Sequence, residues 1–182
     1  MAGDGGEAAE RSYGGLPGAL PYAFRRSDSR LFKSYVVVGG LVALGIVVFF
    51  GMAVVVAVSE TLGAVGGTFT FSRAFVLFVG LLVVVPVLAP ILLVARRHRR
   101  GGSTRTYDRA LAASGYLFVP AMYLLLVITA PPDLREAPPA ALAPVVEWLY
   151  ALPPVAGVVP PLVAAAVTYL VHRRYRAAES EP

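Results

Sequence analysis

The chain contains no cysteine, and neither asparagine nor glutamine occurs in it. The first absence removes disulfides, thiolate metal sites and cysteine nucleophiles from consideration. Lysine is nearly missing too: Lys33 is the one lysine beside fifteen arginines, and Trp148 is the one tryptophan. The most consequential gap is positional. Four apolar runs, Tyr35 to Val58, Ala74 to Ala95, Ala110 to Ala130 and Leu152 to Val171, hold no Asp, Glu, Lys, Arg or His. Ion-coupled carriers and proton pumps place ionisable groups inside the membrane, so that class loses its usual handle. Hydrolases need a nucleophile with a base, or a metal with its ligands, and Ser114 alone supplies neither. Phosphate-binding and dinucleotide-binding glycine patterns are absent in the required strand-to-helix context. Carboxylates at Asp133, Glu136 and Glu147 lie among prolines, poor ground for an exact catalytic constellation. The expectation is a protein that is not an enzyme and carries no cofactor and no metal.

What is present is apolar length. Of 182 residues, 57% are hydrophobic, with a mean hydropathy of +0.70, a balance foreign to soluble domains. Each run has the roughly 20 residues that a helix rising about 1.5 Å per residue needs to cross a hydrocarbon core about 30 Å thick. The fold class expected is all-α: a polytopic membrane protein with four transmembrane helices over about 35–58, 74–95, 110–130 and 152–171. Residues 35–172 then form the membrane domain, flanked by tails at 1–34 and 173–182. No other stretch is long and apolar enough to bury a second core.

Charge orients this layout. The net charge is +5, and its distribution says more than its size. Arg11, Arg25, Arg26, Arg30 and Lys33 precede the first run; Arg96, Arg97, Arg99, Arg100, Arg105 and Arg109 separate the second from the third; Arg173, Arg174 and Arg176 follow the fourth. The remaining connections have only Arg73 and Arg135 as cations, beside Glu60, Asp133, Glu136 and Glu147. The positive-inside rule therefore places both termini and the middle loop in the cytoplasm, an N-in/C-in, multi-pass arrangement in the cell membrane. Arg25 and Arg26 before the first run loosely resemble a twin-arginine export signal, but the apolar part is far longer than the 7–15 residues of a signal core, so an uncleaved anchor is the better reading.

Local chemistry adds detail. Met1 to Glu10 is small, acidic and Gly-rich and is expected to be disordered. From Tyr13 to Phe32, aromatics alternate with cations in the manner of a headgroup-layer anchor; Pro17 and Pro21 argue against one long helix there, and Ser27 or Asp28 is placed to cap a helix entering the first crossing. Gly39 with Ala43, and Ala53 with Ala57, form small-xxx-small pairs suited to close helix packing. Ser59 to Ser72 is Gly- and Thr-rich and reads as a flexible turn, with Phe69 and Phe71 at the interface.

Pro86 and Pro90 share one face of the second crossing and predict a kink, and Pro120 another bend in the third. Ser114 and Tyr123 read as neutral packing contacts. Arg96, Arg97, Arg99 and Arg100, turning at Gly101 and Gly102, form the densest charge, with Thr106 as the expected cap of the third crossing. Together with Arg25, Arg26, Arg173 and Arg174 they are read as contacts to anionic lipid. Nucleic acid is disfavoured, since Tyr107 is the only stacking group nearby and no binding fold surrounds it. His98 and His172 read as interfacial polar residues for want of a ligand set. Pro144 opens a short outer interfacial helix near 144–152 with Val145, Trp148, Leu149 and Leu152 on one face. Pro153, Pro154, Pro160 and Pro161 delay regular helix in the fourth crossing until about Val159.

The stretch from Gly14 through Ala43, including Pro21, Tyr22, Ala23, Phe24, Arg25, Arg26, Ser27, Asp28, Ser29 and Arg30 ahead of a Val- and Gly-rich helix, resembles uncharacterised small four-helix integral membrane proteins of halophilic archaea. That resemblance implies a cell-membrane location and brings no activity or site residues with it. The functional expectation is a non-catalytic membrane scaffold whose partners are membrane lipids and a membrane protein or a second copy of itself. The alternatives are a pore or carrier for a neutral or apolar solute and, last, a membrane enzyme.

Overall fold

The computed structural model describes residues 15–60 and 67–177. The N-terminal stretch expected to be disordered lies outside them, as do residues 61–66 of the first outward connection. Six α-helices follow in chain order: α1 (Gly15–Arg26), α2 (Arg30–Glu60), α3 (Gly67–Arg100), α4 (Arg105–Ile128), α5 (Ala143–Ala151) and α6 (Val159–Ala177), with 3-10 turns at Pro132–Leu134 and Pro154–Val158. No strand occurs among the described residues. Four helical segments, Arg30–Glu60, Arg73–Arg100, Arg105–Ile128 and Pro154–Ala177, are long and apolar enough to cross a membrane.

The chain divides into two compact units, one ending at Ala112 and the other beginning at Ala113. In the first, α1 packs against α3 and α2, and α2 against α3. Its buried side chains lie near the arginine-rich end: Phe32, Tyr35, Val36 and Ala43 from α2, Val87, Ile91 and Val94 from α3, and Tyr107 and Leu111 from α4. Towards its other end α2 is open. Only 6% of its most apolar stretch is buried, and Leu41, Leu44, Phe49, Met52 and Val55 all face outward. A side that greasy is tolerable where the surrounding solvent is hydrocarbon.

Several local expectations require correction. Residues 15–26 form one helix in spite of Pro17 and Pro21. Pro17 falls in the first turn, where backbone N–H groups have no intrahelical partner to lose. Pro21 does forfeit a bond, but Ala19 and Ala23, one turn apart and wholly buried, let the helix backbone settle closely on its neighbours. The cap of α2 is Ser29, not Ser27 or Asp28: its Oγ accepts the Phe32 N–H at 3.2 Å. The cap of α4 is Thr104, not Thr106, with its Oγ1 accepting the Tyr107 N–H at 3.3 Å. The turn between α3 and α4 is made by Gly101 and Gly102, whose φ angles of 147° and 104° exclude most side chains. Helix α3 begins at Gly67, so Phe71 belongs to a helix, where its ring stacks on Phe75 at 6.3 Å, and not to a flexible turn.

Helix α3 continues unbroken across Pro86 and Pro90. Val87 O, one position past the Pro86 carbonyl that Pro90 leaves without its N–H, accepts a 2.6 Å bond from the Tyr35 hydroxyl of α2. Gly39 makes this possible, because a Cβ on it would stand 3.2 Å from the Tyr35 ring. A phenol buried in an apolar helix pair is thus satisfied by a backbone carbonyl of its neighbour. Tyr35→Phe is expected to cost about 0.6 kcal/mol and no more than roughly 1.7, the range for single interhelical bonds in membranes. Unfolding titrations in mixed micelles measure it.

In the second unit, α5 has Pro144 in its second position, not its first, and points Val145 and Trp148 outward while burying Leu149. Regular helix begins at Val159 after the 3-10 turn, and Pro160 and Pro161 fall in its first turn, where backbone N–H groups have no intrahelical partner to lose. Gly157 in that turn packs on Leu125 and Thr129. Ser114 is buried, Tyr123 points outward, and Pro120 lies on the exposed side of α4.

Candidate functional site

The three residues joining α1 to α2 carry two fully buried serines, Ser27 and Ser29. Ser29 serves the helix, whereas Ser27 reaches across the fold. Its Oγ accepts the Ser29 N–H at 3.2 Å and donates to Oδ2 of Asp108, 81 residues away, at 2.5 Å. Asp108 sits in the first turn of α4 and is 1% exposed. Its Oδ1 accepts the Ser103 hydroxyl at 2.6 Å, and His98 Nε2, from the last turn of α3, stands 3.2 Å from Oδ2.

Burying a lone carboxylate is expensive, and the cost is met only when hydrogen bonds or an opposite charge occupy its oxygens. Here both oxygens are occupied, and the positive end of the α4 dipole adds to the effect. One acid therefore ties together the α1–α2 joint, the end of α3, the glycine turn and the start of α4.

The connectivity differs from that of a nucleophilic triad. There an imidazole stands between hydroxyl and carboxylate so that it can take the hydroxyl proton. Here the carboxylate stands in the middle, and Ser27 has no exposed surface. Nor does the pair make a metal site: among the described residues no third His, Cys, Asp or Glu joins it. The arrangement is a clasp with one face turned outward. On that face, Tyr22 and Arg26 of α1 and His98 and Arg99 of α3 line a recess of about 350 Å³. The Arg26 guanidinium lies over the Tyr22 ring at 5.9 Å. Deeper in, Arg97 stacks at 4.1 Å on the buried Tyr107. Such contacts hold cations in place without neutralising them. The C-terminal dipoles of α1 and α3 favour the same placement.

Comparison with known sequences gives one family, described as a domain of unknown function (DUF8056), matching residues 1–176. The chain belongs to that family. No curated protein and no solved structure matches it. The match embraces α1 through nearly all of α6, so the clasp and the recess of this DUF8056 chain both lie within the family's span.

Within it, the residues singled out from sequence separate into groups. Arg26 and Arg99 share the recess, Arg97 is drawn inward over Tyr107, and Arg25, Arg96 and Arg100 are exposed. Arg173 lines a different, shallower recess of about 270 Å³ with Tyr169, His172 and Arg176, while Arg174 is exposed. Gly39, Ala43 and Pro90 are buried and Pro86 partly so. His98 is not merely an interfacial polar residue, because Asp108 fixes it. Sequence reasoning missed Asp108 altogether. The available signal was a single acid amid six flanking arginines and His98, with Ser103 five positions before it.

Proposed function

We propose that this chain is a multi-pass protein of the cell membrane with both termini and the α3–α4 turn in the cytoplasm. In this reading its arginine-rich end engages anionic lipid headgroups and it acts as a non-catalytic scaffold. Its part-exposed Ala53 and Ala57 face would meet another membrane helix or a second copy. The observation that carries the proposal is segregation of charge: the last turns of α1, α3 and α6 and the first turn of α2, with Arg30 and Lys33, are basic, whereas the last turn of α2 and the first turn of α3 carry no cation. Cations in short loops next to spans set orientation, and each one near an anionic surface contributes about 1 kcal/mol of attraction.

The absence of cysteine makes the test simple, since every introduced thiol is unique. Thr106→Cys is expected to be labelled by an impermeant maleimide only from the cytoplasmic side, and Glu60→Cys and Ala140→Cys only from outside. Thr106 and Glu60 reacting from the same side would end the topological reading. For the lipid part, the purified protein should float with phosphatidylglycerol vesicles depleted of detergent more efficiently at low salt than at high, and equal recovery with pure phosphatidylcholine would count against it.

A further inference from the structure

We propose that the recess lined by Tyr22, Arg26, His98 and Arg99 is a discrete binding site for the phosphate of one anionic phospholipid. This rests on the lipid-facing reading above and sharpens it from general attraction to a single saturable site. Four observations support it. All four lining side chains can donate hydrogen bonds, two are guanidinium groups, and none is a carboxylate. Planar guanidinium forks match phosphate oxygens, which makes arginine the common partner of such groups.

The acid that His98 meets, Asp108, has its oxygens occupied by Ser27, Ser103 and His98. The same bond orients the His98 ring by its Nε2 and leaves Nδ1, a donor to an anion when the ring carries both protons, for a ligand. The wall is thus built on buried supports, unlike a loose surface array of arginines.

Placement identifies the source of the phosphate. His98 and Arg99 close the last turn of α3, directly after the apolar stretch that is long enough to span. If that stretch lies in hydrocarbon, the recess lies at headgroup depth. A volume of about 350 Å³ exceeds what a phosphate needs and leaves space for the polar group esterified to it. A trimethylammonium headgroup would meet two guanidinium groups there, so a net-negative headgroup is favoured over phosphatidylcholine.

Native mass spectrometry of the delipidated full chain in detergent, titrated with phosphatidylglycerol, phosphatidylcholine or inorganic phosphate, tests the proposal. One phosphatidylglycerol should bind saturably, more tightly than phosphatidylcholine, and excess inorganic phosphate should not displace it. Arg26→Gln and Arg99→Gln, both exposed and compatible with folding, should each weaken it roughly 10-fold or more, the effect of losing one charge-assisted bond. Arg73→Gln, an equal change of charge at the opposite end of α3, should leave it unchanged.

Equal weakening by all three variants, or binding without saturation, overturns the discrete site while general lipid attraction survives. Displacement by inorganic phosphate overturns the lipid assignment in favour of a soluble phosphate. Loss of all preference for anionic vesicles removes both readings.

Discussion

Asp108→Ala is expected to destabilise the first unit by several kcal/mol, about 1–3 kcal/mol for each buried donor left without its acceptor. The substitution leaves three groups that had converged on one carboxylate, the hydroxyls of Ser27 and Ser103 and the imidazole of His98, without their acceptor. Ser27 cannot turn to water, since it has no exposed surface. Asp108→Asn should cost less. A carboxamide still accepts through one oxygen, and a serine hydroxyl can rotate to accept from the amide nitrogen, so one side of the clasp can be rebuilt with roles reversed. Ser103→Ala should cost least, about 1 kcal/mol, because it removes a single donor from a partly exposed position.

The order Ala, then Asn, then Ser103→Ala is the test, measured as loss of helical circular dichroism during thermal or denaturant unfolding in detergent. Trp148 fluorescence is the wrong probe, since that residue belongs to the other unit. Near-equal stability of Asp108→Ala and the parent protein would mean that the carboxylate is solvated and that the clasp does not hold the helix ends together. The expected loss also explains how the recess would fail when the clasp does: His98 would lose its fixed orientation and the α1–α2 joint its tether.

The apolar runs were legible because crossing a membrane is a local requirement. Hydrocarbon demands about 20 consecutive uncharged residues, and that demand is written contiguously. Even irregularities yielded when their cause was local, as at Val159, where prolines delimit the helix, and at Gly101 and Gly102, where the turn needs positive φ. The clasp was illegible because nothing local records it. Asp108 stands between Tyr107 and Arg109 in a basic stretch and reads as one more solvated loop charge. Its burial comes from Ser27, brought there by α1, and α1 was itself discounted on account of Pro17 and Pro21. Counting lost backbone bonds undervalued what Ala19 and Ala23 return by close packing. Once α1 is read as a turn, Ser27 reads as a cap; once it is read as a helix, the cap moves to Ser29 and Ser27 is released to face Asp108. Two misjudged prolines therefore concealed both the helix and the site it completes.

The second unit offers a prediction that depends on shape alone. Gly157 is buried in the 3-10 turn ahead of α6, and a Cβ there would lie 2.9 Å from Thr129 Cγ2 and 3.3 Å from the Leu125 carbonyl oxygen. Neither neighbour can give way easily. The Leu125 oxygen is backbone and accepts the Thr129 N–H at 3.0 Å, and the Thr129 hydroxyl donates to the same oxygen at 2.7 Å, which pins the rotamer that aims its methyl at Gly157. Gly157→Ala should therefore destabilise this unit by about 1–3 kcal/mol, the usual cost of overpacking. Thr129→Ser removes the obstructing methyl and keeps the hydroxyl that binds Leu125. Alone it should be close to neutral, and combined with Gly157→Ala it should recover most of the loss, a coupling that independent sites would not show. Trp148 fluorescence during unfolding reports the unit concerned. Additive effects of the two substitutions would mean that Gly157 is required for its backbone and not for the space it leaves, and that the entry to the fourth apolar segment is set by the prolines around it and not by contact with α4.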